Sequence, residues 1–294
     1  GNGIIMTISL MIAFPILWMK AGGWSGMEVA FANMGHPEKM EFFGRYSTMD
    51  IINFCLPSFL LVLGDANMYQ RFFASKNAKG AEQATKVLIF AVLLAELMII
   101  FSAWVVSSMI PDAEVGKYVL IYAAHKLLPT FLGAIMMTTI VGIIISTADS
   151  FLLVPATTLM RDVYLNYINP KANEKKIVLL SRVLVLGLGI IAYIVSLGFA
   201  KSSGFFERAL YAYTIYGAAI TPSLVAALFW KRATKEGAVV SILTGTVTTL
   251  LWKEAAFIQN IIPQNIYNNM DEVLPAITLS VVSLVVVSLL TKKN

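Results

Sequence analysis

Charged residues in this chain are confined to short stretches, and between them run apolar segments of 15 to 26 residues. A hydrocarbon core about 30 Å thick is crossed by about 20 apolar residues in an α-helix. Eight segments read as spans: Gly3–Met19, Ile51–Phe73, Thr85–Ile110, Thr130–Leu153, Ile177–Ala200, Phe205–Trp230, Ala238–Trp252 and Val273–Leu290. Ala238–Trp252 is the shortest and needs flanking residues to cross. Each segment is apolar on all faces, as buried or lipid-facing helices are. Alternation with period two is absent, so helices rather than a closed barrel satisfy the backbone in lipid. Only 13% of the 294 residues are charged, about half the share in soluble domains. The expectation is an all-α, polytopic transmembrane helical bundle with about eight spans.

The net charge is +5. The basic residues sit at span ends and form no continuous stripe, which argues against nucleic acid as a partner and for a lipid bilayer. One set of alternate loops holds 14 Lys and Arg, among them Lys76, Arg161, Lys231 and Lys292, and the other set holds 8. The positive-inside rule therefore predicts a multi-pass protein of the cell membrane with a cytoplasmic C-terminus, and an even number of crossings puts Gly1 on the same side. A lone cysteine, Cys55, excludes an intrachain disulfide. No basic n-region or small-residue cleavage site precedes the first apolar run, so it is no signal peptide, and the chain reads as a piece that begins inside a larger protein. Two outer loops, Gly22–Tyr46 and Pro111–Pro129, are long enough to fold. Val115–Leu128 is read either as a short helix on the outer face or as a solvated loop.

The second segment carries its own interruption. Ile51–Leu63 contains Asn53, Pro57 and Ser58, and Gly64, Asp65, Ala66 and Asn67 follow before Met68–Phe73 continues. A discontinuous helix near residues 51–73 would free backbone N–H and C=O groups near the midplane, where transporters hold ions and solutes. A kinked helix that ends at Gly64 would place Asp65 at the interface instead.

The fourth segment closes on Ser146-Thr147-Ala148-Asp149-Ser150, four oxygen-bearing side chains in five residues of an apolar span. Sodium is a hard cation and takes oxygen ligands, as calcium and magnesium do. Ser146 and Thr147 lie about 100° apart on a helix, and the Ile143 carbonyl, one turn back, falls near Ser146. The competing use of such hydroxyls is to bond their own i−4 carbonyls or a neighbouring helix.

STADSFLLVPATTLMRDVY, Ser146–Tyr164, resembles the signature helix of the sodium:solute symporter family. GDANMYQRFFASKN, Gly64–Asn77, resembles that family's segment ending in Gln-Arg and a small-residue–Lys loop. LLPTFLGAIMMT at Leu127–Thr138 and FWKRATKEGA at Phe229–Ala238 fit as well, so the resemblance runs in order from about Gly3 to Gly245. It implies a leucine-transporter-type fold, with two inverted five-helix repeats and with sodium and solute bound between them. On that reading residues 1–46 hold the fifth core helix and an outer loop, 47–230 the second inverted repeat, and 231–294 two peripheral helices. The first repeat, an N-terminal partner of this chain within the same protein, is absent. The resemblance places the main sodium site at Ile143, Ser146 and Thr147. Asp149 and Ser150 match a second sodium site of some members, although those members carry a hydroxyl where this chain has Asp149.

The family places solute contacts on the broken sixth and the tenth helices. Here these are Ser58, Leu61, Val62 and Asp65 on the former, and Tyr213 and Tyr216, with Tyr211, on the latter, where the competing use of a tyrosine in a span is as an interface anchor. Apolar Leu61 and Val62 argue against a sugar pocket. Glu96 lies mid-span, as a protonated group, a proton carrier or the partner of a polar group. No cluster has zinc-ligand spacing and no Gly-rich loop precedes a phosphate-binding helix, so no catalytic reading has residues to rest on. The expected function is sodium-coupled secondary active symport of a small organic solute, with Na+ as coupling ion. The alternatives are a membrane sensory or scaffold module and a proton-coupled transporter using Glu96 or Asp149.

Overall fold

A computed structural model of the protein describes residues 2–110, 118–200 and 204–291. The described residues are almost entirely helical: α1 (Asn2–Lys20), α2 (Gly23–Asn33), α3 (Thr48–Leu63), α4 (Ala66–Phe73), α5 (Ala78–Ser107), the single turn α6 (Val119–Tyr122), α7 (Thr130–Thr158), α8 (Glu174–Ala200), α9 (Phe205–Phe229), α10 (Lys235–Glu254), the short α11 (Ala256–Ile261) and α12 (Gln264–Tyr267), and α13 (Val273–Thr291). π-helical turns follow α6 over Ala123–Leu127 and α7 over Leu159–Ile168. Of the stretch Val115–Leu128, residues 115–117 lie outside the described residues, and Val119–Leu127 is helical.

Six helical stretches are long and apolar enough to cross a membrane, and α1 with α2 makes a seventh candidate as a pair bent by 63°. The bend falls at Gly22, whose φ of 79° is left-handed backbone that favours glycine. The difference from the eight segments read in sequence lies in two elements. Gly3–Met19 meets the criterion only with α2, a helix inside what reads as an outer loop. Ala238–Trp252 lies within α10, a continuous helix that falls short in hydropathy. The reason is its buried stripe of Gly237, Ser241, Gly245 and Thr249, which packs helices closely at the expense of apolarity.

The chain divides into two compact units. One is 1–45 with 70–189, the other 46–69 with 190–294. In the first, α1 packs on α5 and α7. Leu10, Ala13 and Leu17 of α1, Met27 and Phe31 of α2, Val105 and Val106 of α5, and Met136 of α7 form one buried cluster. In lipid such contacts hold through van der Waals packing, since tails are as apolar as the side chains.

In the second unit, α9 packs on α3 and α10, and α10 runs along α13. The α10–α13 seam is small and hydroxylated. Ser241 and Ser280 share a hydrogen bond at 2.9 Å, and the Ser280 hydroxyl also reaches the Ser241 carbonyl at 3.1 Å. The loop before α13 is tied down near its C-terminal end. Trp252 Nε1 donates to the Met270 carbonyl at 3.2 Å, and the buried Asn53 of α3 donates to the Asn269 carbonyl at 3.1 Å.

Candidate functional site

The interruption between α3 and α4 is two residues long, and its backbone groups can be accounted for almost completely. Ser47 and Asp50 form a capping box that starts α3: Asp50 N–H donates to the Ser47 hydroxyl, and Ser47 N–H to the Asp50 carboxylate. Pro57 lies buried within the helix. At the other end Gly64 N–H donates to the Leu60 carbonyl at 3.0 Å, and Asp65 N–H turns back more tightly to Val62 at 3.3 Å. The helix then restarts with Asp65 as its N-cap. Asp65 Oδ1 accepts from the N–H of Asn67 at 2.9 Å and from its side-chain amide at 3.1 Å. A helix ending at Gly64 with nothing beyond it is thereby replaced by a restart of eight residues.

The neighbour α9 completes the break. The Thr221 hydroxyl donates to the Leu60 carbonyl at 2.7 Å, and the Tyr216 hydroxyl donates to the Gly64 carbonyl at 3.2 Å. Ala66 N–H donates back to the Tyr216 oxygen at 3.4 Å. Tyr213, Tyr216, Gly217 and Thr221 are spaced to share one helical face. Close approach is enforced by what is missing: a Cβ on Gly64 would collide with the Thr221 hydroxyl, and one on Gly217 would sit 2.7 Å from the Leu60 Cβ.

Of the solute positions expected from sequence, Asp65 and Tyr216 are brought together here. Ser58, Leu61 and Tyr213 are half-buried, and Val62 is 58% exposed. Thr221 and Gly217 went unread in the sequence, and Asn53 was read only as a polar residue of the second segment. A threonine five residues after a tyrosine on an apolar helix was the available signal, and it is too common to stand out alone.

In the other unit, Ile143, Ser146, Thr147 and Asp149 lie on exposed parts of α7, and Ser150 is half-buried. The Ser150 hydroxyl donates to the Ser146 carbonyl of its own helix at 3.1 Å. Among the described residues, neither the Ser146 nor the Thr147 hydroxyl has a hydrogen-bond partner. The Ile143 carbonyl accepts within the helix and keeps a second lone pair. Ile143, Ser146 and Thr147 stand at i, i+3 and i+4, the spacing of one helical face, and carbonyl and hydroxyl oxygens are the donor types a hard cation takes. Glu96 is exposed on α5 beside exposed Leu93 and Leu97. A carboxylate on such a face is costly in lipid unless something polar covers it.

The model of the sodium:solute symporter family matches residues 2–245. The osmoregulated proline transporter OpuE of Bacillus subtilis is 26% identical over 301 residues, covering 99% of this chain and 58% of the relative. The sodium/proline symporter of Staphylococcus aureus is 25% identical over 300 residues, covering 99% and 57%. Among solved structures, a Na+-coupled sialic acid symporter in a substrate-bound outward-open state matches with a TM-score of 0.71 at 15% identity, over 99% of this chain and 61% of that one. The chain therefore spans about 60% of the length of the relatives it matches.

Proposed function

Since the chain belongs to the sodium:solute symporter family, a family of multi-pass membrane transporters, we propose that it is the C-terminal portion of a sodium-coupled symporter whose solute is a small amino acid of the proline type. The observation that carries this reading is the pairing of two features in one chain: a broken span with a polar break, and an exposed turn whose hydroxyls have no partner among the described residues. Proline is the solute in the names of relatives that align along 99% of this chain. The apolar Leu61 and Val62 beside the break suit a solute with a small hydrocarbon ring.

On this reading sodium is held by the Ile143 carbonyl and the Ser146 and Thr147 hydroxyls, with Asp149 and Ser150 as a second position. Neutral oxygens hold the ion weakly enough to release it. The remaining ligands come from the first repeat, which would precede this chain. The solute lies against Ser58, Leu61, Val62 and Asp65 on one side and against Tyr213 and Tyr216 on the other. The fifth core helix, the second repeat and two peripheral helices occupy 1–46, 47–230 and 231–294. The C-terminus is cytoplasmic on this reading, which the asymmetry of basic residues supports.

The test is uptake of labelled proline into proteoliposomes holding the full-length protein. An inward sodium gradient at constant pH should drive accumulation, and Gly1–Asn294 alone should not, because alternating access needs one bundle to move against another. Accumulation driven by a proton gradient without sodium would overturn the choice of ion. Orientation is checked separately: in a Cys55-free background, Asn173→Cys should resist an impermeant thiol reagent outside intact cells, whereas Asn268→Cys should react.

A further inference from the structure

We propose that Tyr216 is a positioning residue whose single hydroxyl fixes the helix break between α3 and α4 in its solute-accepting form; the claim rests on the symport reading above. Restarting a helix leaves its first N–H groups without intrahelical partners. At this restart Asn67 N–H is taken by the Asp65 carboxylate at 2.9 Å, and Met68 N–H by the Asp65 carbonyl at 3.1 Å. Ala66 N–H is taken by no group of its own segment. It donates to the Tyr216 oxygen at 3.4 Å. The last carbonyl before the restart, that of Gly64, accepts from the same hydroxyl at 3.2 Å.

One hydroxyl from a neighbouring helix therefore serves both lips of the break, donating to one and accepting from the other. That matches the capacity of a phenol, one donor with acceptor lone pairs. Both distances are long for their type, so the contact sets the orientation of the two peptide groups without locking them. Removing the hydroxyl leaves a free N–H and a free carbonyl on either side of Asp65. These groups can then turn toward each other, toward water or toward the carboxylate, and a solute meets a break with several orientations instead of one. Binding then carries the cost of selecting the right one. Thr221 supplies the internal control. Its hydroxyl also reaches from α9 to a carbonyl of α3, at 2.7 Å, but that carbonyl belongs to Leu60 and already accepts from Gly64 N–H. Its loss weakens packing without freeing either lip.

The experiment compares Tyr216→Phe and Thr221→Val in the full-length protein. Tyr216→Phe should raise the solute KM about tenfold, with Vmax per transporter in the membrane within about twofold. Thr221→Val should lower the melting temperature and leave KM within about twofold. Amide hydrogen exchange of the purified protein gives a readout independent of transport. The peptide across Gly64–Met68 should exchange faster in Tyr216→Phe and be unchanged in Thr221→Val. An unchanged KM and exchange rate in Tyr216→Phe would overturn the assignment, as would equal rises in KM for the two variants. Failure of Tyr216→Phe to reach the membrane would also overturn it, because the hydroxyl would then be needed for folding rather than for positioning. If the unaltered protein shows no sodium-driven uptake, the symport reading fails on its own, and exchange still decides whether Tyr216 orders the break.

Discussion

The break between α3 and α4 and the hydroxyl turn of α7 are both polar interruptions of apolar helices, and they are treated in opposite ways. At the break, Asp65, Tyr216 and the turn itself take up the freed backbone groups within one unit. On α7 the Ser146 and Thr147 hydroxyls stand exposed with no partner among the described residues, whereas Ser150, Thr138 and Thr157 donate to carbonyls of their own helix. The first arrangement is complete as it stands. The second has oxygens to spare, and in a low-dielectric setting spare oxygens are kept only where something else uses them. The contrast separates a break whose backbone groups are satisfied within the chain from a turn whose hydroxyls are left over.

The comparison breaks most visibly if the break is overfilled. Gly64→Ala places a Cβ against the Thr221 hydroxyl, and that hydroxyl cannot swing away without giving up the Leu60 carbonyl. Overpacking of this kind costs about 1–3 kcal/mol. A drop in melting temperature of about 5 °C and loss of most uptake are expected. Gly64→Ala with Thr221→Ala should recover much of both. A single Gly64→Ala variant that melts like the unaltered protein would show that α3 and α9 are not in close contact there.

Next in size is the effect on the ion. Thr147→Ala removes an oxygen that has no structural duty, so expression should stay near normal while the sodium concentration for half-maximal uptake rises about tenfold. Thr157→Val removes a hydroxyl of α7 that donates to the Leu153 carbonyl and lies outside the proposed ion positions, and its shift should stay under about threefold. Equal shifts in the two variants would erase the distinction between spare and committed oxygens on α7.

The smallest expected effect concerns Glu272, just before α13. It is 5% exposed, with Lys253 Nζ 3.9 Å away. Burial pushes its carboxyl above the usual carboxylate range, and the backbone hydrogen bond and Lys253 oppose this only in part. The folded protein thus holds this proton more tightly than the unfolded chain. The stability contribution is complete below the unfolded pKa, about 4.3, and is lost as pH rises through the raised folded value. Glu272→Gln should flatten the fall of melting temperature across that window and raise it by about 2 °C at neutral pH. A pH slope unchanged by the substitution would mean that the titration lies elsewhere. The polar pair at this loop would then resemble the exposed turn of α7 more than the sealed break.

Apolar run length alone was enough to read a polytopic helical bundle, because lipid leaves the backbone no other partner than its own helix. Gly64-Asp65 inside a span announced the break, since glycine and a short acid are poor choices for a helix interior and good ones for a stop and an N-cap. The cluster at Ser146–Ser150 was legible because four polar side chains are costly in an apolar run. Three things were decided only by the tertiary structure. The α2 helix lies in what reads as a loop, because a bend at Gly22 returns Met27 and Phe31 to the core. The α10 helix is less apolar than the other long helices because α13 covers Gly237 and Ser241 of its small-residue stripe and α9 approaches Gly245. Tyr216 and Thr221 serve backbone groups 150 or more residues away. A hydrogen bond of that kind leaves no periodic trace along the chain, since it depends on which face of α9 meets which turn of α3, and packing alone sets that.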